Sequence, residues 1–242
     1  MKKFVSIFVV ALSLVIMLSC NSINSCQKGS GEIDYQIRNL SYFESVELMT
    51  SGNVFISQGE APSVTIEAAK DVIDEIKTNV DNNSLNIFSE TGICPDKMNI
   101  YITMKDINSL KVFGSGNIYN FTPLITDELN LKISGSGNIV LTDVASQKVG
   151  LLIMGSGNIK VNGSSESTII EVSGTGNVNA SELLSKYCDI LVNGSGETKT
   201  FVEKDLKVKI KGSGNVKYLG EPERIKKDID GTGEIKKLKA VS

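Results

Sequence analysis

Residues 131–141 read Leu-Lys-Ile-Ser-Gly-Ser-Gly-Asn-Ile-Val-Leu, and residues 151–161 repeat the pattern as Leu-Leu-Ile-Met-Gly-Ser-Gly-Asn-Ile-Lys-Val. In both stretches every second residue is aliphatic or glycine, which is the two-residue period of a β-strand. The glycines fall in the apolar phase of this alternation. We therefore predict that they point inward or form a bend, at places where a side chain would collide with the opposite wall or with the corner of a coil.

The tetrad at the centre of this pattern, Gly-Ser/Thr-Gly-Asn/Glu, recurs seven times, and successive copies end 18 to 21 residues apart. The copies begin at Gly114, Gly135, Gly155, Gly174, Gly194, Gly212 and Gly231. Self-similarity at this period is typical of a solenoid, in which each repeat packs only on its neighbours. Stacking at about 4.8 Å would align the closing residues into an outward ladder. The ladder residues that we predict to face a ligand are Asn117, Asn138, Asn158, Asn177 and Asn215.

Each period also carries a second apolar group after a polar bend, as at Val144 and Val149 after Asp143. A coil of this length therefore needs two or three sides. We predict an all-β fold, a parallel β-solenoid with coils of about 20 residues, and the chirality of parallel crossovers favours a right-handed coil. An antiparallel meander with two strands in each period is the alternative that the spacing leaves open.

The stretch 41–110 lacks the tetrad over most of its length, whereas 111–242 carries the repeated coils. Within it we predict one short helix in the run 68–80, because one helical face would hold Val72, Ile73, Ile76 and Val80. Solenoids need an end that stops open-edge pairing, so this segment is predicted to be an amino-terminal cap or the first half of the body. At the other end, we predict that three lysines protect the last exposed edge. These are Lys236, Lys237 and Lys239.

The amino terminus is typical of an export signal. Two lysines precede an apolar stretch that ends at Ser19, and Cys20 follows where a bacterial lipoprotein signal would be cut and acylated. We predict a lipoprotein signal peptide over 1–19, acylation of Cys20, a tether over 20–40 that leads into the first strand, and a lipid-anchored position in the cell envelope, at the outer membrane. A retained membrane anchor and an ordinary signal peptide are the alternatives.

The cysteines allow one disulfide bridge at most. Acylation of Cys20 would leave Cys26, Cys94 and Cys188, which is an odd number. Because Cys26 lies in the predicted tether, Cys94 with Cys188 is the pair that we predict if a bridge forms. Burial of these cysteines as free thiols is the other interpretation.

The composition excludes several classes of site. The chain has no His and no Trp, which removes histidine-based nucleophile systems and histidine metal sites. A formal net charge of −3 lacks the basic excess that binding to nucleic acid requires. We therefore predict no nucleic-acid partner, no cofactor, no metal site and no catalytic residues.

The repeated Gly-Ser-Gly-Asn before Ile or Val is one of several features that resemble a known family. The others are residues 43–58 (FESVELMTSGNVFISQ), the strand 64–68 (VTIEA) and the lipoprotein-like start. Together they resemble the "putative auto-transporter adhesin, head GIN domain" family, which is common in Bacteroidetes. This resemblance implies a β-helical, extracytoplasmic, adhesin-like protein and carries no catalytic residues over to this chain. Glu197 and Glu234 replace Asn in two tetrads, which argues against a uniform amide ladder.

The function that we predict is a cell-envelope lipoprotein that acts as a non-enzymatic, adhesin-like binding module. It would present a rigid β-helical surface to a glycan or a protein, and its acylated Cys20 would hold it to the lipid membrane. An envelope scaffold or assembly component is the first alternative. A polysaccharide-cleaving enzyme is the second, and it rests on fold analogy alone, since Glu171, Glu203 and Asp205 show no spacing that selects a catalytic pair.

Overall fold

The structure is a computed structural model that describes residues 26–239, so Cys20 and the predicted signal peptide lie outside the described residues. Strands make up 64% of the described residues and helix 1%, and parallel bridges about 20 residues apart form a β-solenoid of about six turns. The predicted fold class is thereby confirmed. The strands are β1 (Ile33–Arg38), β2 (Ser45–Leu48), β3 (Asn53–Gln58), β4 (Ser63–Ala69), β5 (Ile76–Asp81), β6 (Ser84–Ser89), β7 (Met98–Met104), β8 (Ser109–Val112), β9 (Asn117–Asn120), β10 (Leu124–Ile133), β11 (Asn138–Ile153), β12 (Asn158–Val172), β13 (Val178–Val192), β14 (Glu197–Ile210), β15 (Asn215–Leu219), β16 (Arg224–Ile229) and β17 (Ile235–Lys237).

The long strands bend, so that one coil contributes to three parallel ladders. In β11, residues 148–153 pair with 167–172 of β12 in what we call the first sheet. Residues 138–141 pair with 158–161 in the second sheet, and 144–146 pair with 163–165 in a short third one. A register shift at Leu141/Val144 separates the last two ladders, and Asp143 turns the chain there with a φ of 55°. The tetrads lie between the first sheet and the second.

The amino-terminal coil is not at the end of the stack. Its strands β2 and β3 pair with β8 and β9 on one side and with β6 and β7 on the other. Asn53 is therefore level with both Asn99 and Asn117. The chain leaves the stack after β3 and builds the coil beyond it, and then returns at β8. This excursion explains the long gap in the tetrad repeat.

Antiparallel strands close the amino-terminal end of the stack, and we call β4 to β7 with the loops between them the cap. β4 runs antiparallel along β7, β5 runs antiparallel along β6, and β1 pairs antiparallel with β4. β4 and β5 thus cover the edges that β7 and β6 would leave open, and β1 covers the outer edge of β4. Open strand edges invite association with other chains.

The helix predicted in the run 68–80 is wrong in extent. The structure has a single 3₁₀ turn at Ile73–Glu75, and Val80 lies in β5. Val72, Ile73 and Ile76 are buried as the helical pattern requires. β-Branched residues also suit a strand, however, and the edge of β6 offers unpaired backbone groups. Pairing of β5 with β6 satisfies those groups, so the strand replaces the rest of the helix.

The tetrad glycines are needed because neighbouring coils approach closely. A Cβ added at Gly137 would lie within 3.0 Å of the Gly116 carbonyl oxygen, and one added at Gly157 would lie within 3.0 Å of that of Gly137. These glycines do not adopt positive φ, which among glycines of residues 26–239 occurs at Gly52, Gly163 and Gly220. The predicted collision was with the opposite wall or a corner. The backbone of the preceding coil is the actual obstacle.

The carboxy-terminal end carries inward charge. Lys227 is in register with the buried Val208, and Lys237 is in register with the buried Tyr218. The Lys227 Nζ lies 5.6 Å from the Tyr218 ring centroid, and Lys237 pairs with Glu221. Charged groups in the inward phase of an edge coil oppose the addition of another coil.

We expect replacement of both inward lysines, Lys227→Val with Lys237→Val, to make the chain associate end to end. The variant would expose a continuous apolar end in the strand-pairing position. Light scattering over a range of concentrations should show a mass increase for this variant alone. The matched control is Lys226→Val with Lys236→Val, because both lysines lie in the outward phase of the same strands. Association of the control to the same extent would contradict the explanation.

The predicted pairing of Cys94 with Cys188 is wrong. The disulfide joins Cys94 to Cys26, with Cα atoms 5.6 Å apart, and Cys188 is a buried free cysteine. Cys188 lies inside the stack in β13, far from the cap loop that holds Cys94. The Gln27 N–H donates to the Gly92 carbonyl at 2.8 Å, and the Cys94 N–H donates to the Gln27 carbonyl at 3.0 Å. Cys26 and Gln27 are thus held against the loop between β6 and β7, although we predicted both to lie in the tether.

We expect Cys188 to be inert in the folded chain. Burial raises the pKa of its thiol to about 12, although a hydrogen bond with Thr200 favours the thiolate. The thiolate is the reactive form, so alkylation at pH 8 should leave the Cys188 peptide unlabelled in mass spectrometry and should label it fully after denaturation. Labelling of the native protein at the rate of the unfolded chain would contradict the burial.

Candidate ligand-binding face

The outer side of the second sheet carries a continuous row of asparagine side chains. The Nδ2 of each asparagine donates to the Oδ1 of the asparagine in the next coil toward the cap, at distances of 2.8 to 3.4 Å. The row runs through Asn177, Asn158, Asn138, Asn117, Asn53 and Asn99. All six amides therefore point the same way, and such chains of hydrogen bonds strengthen one another.

At the cap end of the row, the last asparagine donates to the buried carboxylate of Glu67. Asn99 donates to Glu67 at 2.8 Å, and Glu67 is only 3% exposed. Tyr35 and Tyr101 donate to the same carboxylate at 2.7 and 2.9 Å, and the Lys97 ammonium lies 2.6 Å from it. Burial alone would raise the pKa of Glu67, but the hydrogen bonds from these four groups outweigh it and lower the pKa to about 2.

At the end away from the cap, the row stops at Asn177, because Glu197 occupies the asparagine position in the next coil. The Glu197 backbone N–H donates to the Asn177 Oδ1 at 2.8 Å, while its carboxylate pairs with Lys217 and Lys199. These hydrogen bonds lower the pKa of Glu197. Asn215 lies in register beyond Glu197 and accepts from the Glu234 backbone N–H at 2.9 Å. Four of the five predicted ladder residues are thus joined by side-chain hydrogen bonds, and the fifth is set apart. Their role toward a ligand stays a prediction.

An aromatic cluster borders the asparagine row on the same outer surface. The Phe55 ring stacks with Tyr101, Tyr119 and Phe121, with centroids 5.4, 5.6 and 4.7 Å away. Phe121 is 62% exposed. We did not predict this cluster from the sequence. A signal was present, because Phe55 and Tyr119 each stand two residues after an asparagine that occupies the same place in its coil. We call the asparagine row and these four rings the amide face.

A separate groove of about 870 Å³ runs along the third side of the solenoid. Its lining includes the acidic residues Glu44, Asp106, Asp127, Glu166 and Glu203. Several of these acids have partners: Tyr42 donates to Asp106 at 2.8 Å, and Lys186 pairs with Glu166 at 2.7 Å. The hydrogen bond to Asp106 raises the pKa of Tyr42 to about 12. Of the three acids singled out from the sequence, Glu203 lines this groove and the other two do not. Asp205 pairs with Arg224, and Glu171 accepts a hydrogen bond from Ser173.

Across residues 26–239 there is no group of three or more acidic, cysteine or histidine side chains arranged to hold a metal ion. Nor does that part of the chain contain a helix with the length and apolar character that a bilayer crossing demands.

The fold has close counterparts among solved structures. A putative adhesin from Bacteroides fragilis superposes with a TM-score of 0.83 at 23% identity, covering 88% of this chain and 100% of the other. A putative lipid binding protein from Parabacteroides distasonis gives a TM-score of 0.72 at 20% identity, covering 89% and 100%. A putative adhesin from Parabacteroides merdae gives 0.70 at 20% identity, covering 88% and 99%. At these identities the likeness concerns the fold.

Comparison with curated proteins gives no match. A family model, by contrast, matches residues 42–222, which span β2 to β15 and so include both the amide face and the cap. On that match, this chain belongs to the family described as "putative auto-transporter adhesin, head GIN domain".

Proposed function

We propose that this chain is a lipid-anchored, non-enzymatic binding module of the cell envelope, and that its amide face is the surface that meets a glycan or protein ligand. The observation that carries this proposal is that four stacked aromatic rings lie beside a row of amides on the outer surface of the second sheet. Aromatic side chains provide large contact area and amides provide oriented hydrogen bonds, and both are characteristic of recognition surfaces.

The rigidity of this surface favours binding. Three of the four rings and five of the six amides lie on strands that pair with a neighbouring strand on each side. The Phe121 backbone N–H, just after β9, donates to the Ile56 carbonyl at 2.8 Å. Little conformational entropy is therefore lost when a ligand docks, and more of the contact energy contributes to affinity. The adhesin-like family and the fold shared with proteins described as adhesins support a binding role.

The anchor in this proposal is an acylated Cys20, which places the mature chain on the outer membrane. The order of charged, apolar and small residues before Cys20 supports export and acylation. Mass spectrometry of the mature amino-terminal peptide should show the added lipid. An unmodified peptide that begins elsewhere would overturn the anchor without affecting the binding face.

The binding role is tested with two matched variants of the mature chain. Phe121→Ala removes the most exposed ring of the amide face, and Tyr187→Ala removes an exposed ring of the first sheet. On glycan arrays and intact cells, we expect Phe121→Ala to weaken binding at least about tenfold, which is the loss of one contact worth about 1.4 kcal/mol. Tyr187→Ala should bind as the wild type does. Equal losses in both variants, or no binding by the wild type to any glycan or cell, would overturn the proposal.

The alternatives have less support. The inward lysines at the carboxy-terminal end oppose end-to-end assembly, which weighs against a scaffold built by stacking. The acidic groove is the place where a polysaccharide-cleaving activity would have to lie. Turnover of an envelope glycan that is lost in Glu203→Gln would favour the enzyme over the binding module.

A further inference from the structure

In the middle of the amide face, the asparagine side chains have free hydrogen-bond donors but no free acceptors. The Asn138 Oδ1 accepts from both the Nδ2 and the backbone N–H of Asn158. The Asn158 Oδ1 accepts in the same way from Asn177. Since an amide oxygen has two lone pairs and an amide nitrogen has two hydrogens, each of these side chains keeps one N–H and no acceptor. A ligand atom that contacts them must therefore accept hydrogen bonds.

A cationic group lies beside these donors. Lys160 follows Asn158 on the same outer surface and is level with Val140, which is itself level with Tyr119 of the aromatic cluster. Lys160 is exposed and forms no ion pair with any residue between 26 and 239. Glu197, which follows the row beyond Asn177, is already paired with two lysines. This part of the face thus offers N–H donors and a free positive charge.

Resting on the proposed binding role of the amide face, we propose that its ligand is an acidic glycan. The carboxylate or sulfate group would sit at Asn138, Asn158 and Lys160, where only acceptors are accommodated and the charge is complementary. A sugar ring would contact the exposed Phe121 and the half-buried Tyr119. The rings and the ammonium group are two strand spacings apart along the stack, about 10 Å, so a short oligosaccharide reaches both.

The experiment is an array of neutral, uronic-acid, sialylated and sulfated oligosaccharides probed with the mature chain. We expect the chain to bind the acidic oligosaccharides only, and Lys160→Gln to lower the affinity at least about tenfold. Added salt should weaken binding, since the ion pair between Lys160 and the glycan is exposed. Lys226→Gln, an exposed lysine of the first sheet, is the matched control. The uronic and sulfated arms identify which anionic group is read.

The outcomes separate this inference from the proposed function. Binding to neutral glycans that is unchanged in Lys160→Gln would overturn the acidic ligand and leave the binding role in place. Binding to cells through a protein, with no glycan bound, would do the same. Absence of all binding would overturn both.

A second inference rests on the disulfide and on the proposed acylation of Cys20. Five residues separate Cys20 from Cys26, and Cys26 is bonded to Cys94 in the loop between β6 and β7. A fully extended chain spans at most about 3.6 Å per residue, so the lipidated residue lies within about 20 Å of the cap. Further along, Ser30 donates to Asp71 at 3.0 Å through its backbone N–H, which fastens the segment again.

We infer that the cap end faces the bilayer and that the carboxy-terminal coil points away from it. β16 lies eight strand spacings from β6 in the first sheet, a distance of about 38 Å at ordinary sheet geometry. This exceeds the reach of the tether, so the carboxy-terminal coil cannot be the end that meets the bilayer while Cys20 is anchored there. In the inferred orientation the asparagine row runs along the membrane normal.

The chain has no tryptophan, so single tryptophans report position without background. Glu90→Trp marks the cap, and Lys226→Trp marks β16. With the lipidated chain on phosphatidylcholine vesicles that carry a dansyl headgroup lipid, we expect several-fold more energy transfer from the cap. The difference should shrink when Cys26→Ala and Cys94→Ala release the segment. Equal transfer from both ends of a vesicle-bound chain would overturn the orientation, whereas failure of the chain to float with vesicles would overturn the anchor.

Discussion

Gly157→Ala is expected to destabilise the chain by about 3 kcal/mol or more, or to prevent folding. The new Cβ would lie within 3.0 Å of the Gly137 carbonyl oxygen and 2.9 Å from Ile133 Cγ2. The backbone cannot move aside, because the Gly157 N–H and the Ser156 N–H both donate to the Gly135 carbonyl of the preceding coil. Relief of the clash would therefore break ladder hydrogen bonds. Urea denaturation measures the difference.

Gly92→Ala is the matched control for this substitution. The closest atom to a Cβ at Gly92 is Cys26 Cβ at 3.9 Å, an ordinary contact, and Gly92 is not among the glycines with positive φ. Its stability should stay near that of the wild type. If Gly157→Ala were as stable as Gly92→Ala, the tetrad glycines would not mark close contacts between coils.

Glu67→Gln is expected to cost on the order of 2 kcal/mol at pH 7. The substitution removes the charge that Lys97, Tyr35, Tyr101 and Asn99 converge on, and the amide can accept fewer of their hydrogen bonds. Exposed Glu60 pairs with the exposed Lys105, so Glu60→Gln is the control and should change stability little.

The same carboxylate gives a pH dependence with a definite sign. The pKa of Glu67 falls from 4.5 to about 2 on folding, so the unfolded chain binds the proton more readily. The stabilisation is complete above about pH 4.5 and is lost as the pH falls toward 2. The stability difference between the wild type and Glu67→Gln should therefore shrink as the pH is lowered from 7 to 3. A difference that is independent of pH would contradict the assignment.

The repeated part of the fold could be predicted because its constraints are local. Alternation fixes which side of a strand is buried, and the glycine doublets fix where the coils touch. The position of β2 and β3 between two later coils could not be predicted, since their pairing with β6 to β9 depends on contacts distant in sequence. The extent of the helix was wrong for the same reason, because the edge of β6 decided it.

The candidate site was only partly visible in the sequence. The tetrad spacing places Asn117 to Asn177 in one row. The extension of that row to Glu67 requires the non-sequential order of coils, and so does the stacking of Tyr101 on Phe55. The Cys26–Cys94 bridge depends on the same cap. Pairing by elimination failed there because a segment predicted to be a free tether packs on the folded body.

Nuclear magnetic resonance of the side-chain amides tests the central claim, that the amide face meets the ligand, most directly. The mature chain would be titrated with the glycan that binds most tightly on the array. We predict that the Nδ2 protons of Asn138 and Asn158 and the ring protons of Phe121 shift together. Shifts confined to the acidic groove, at Ser146, Glu166 and Glu203, with these amide resonances unmoved, would contradict the account.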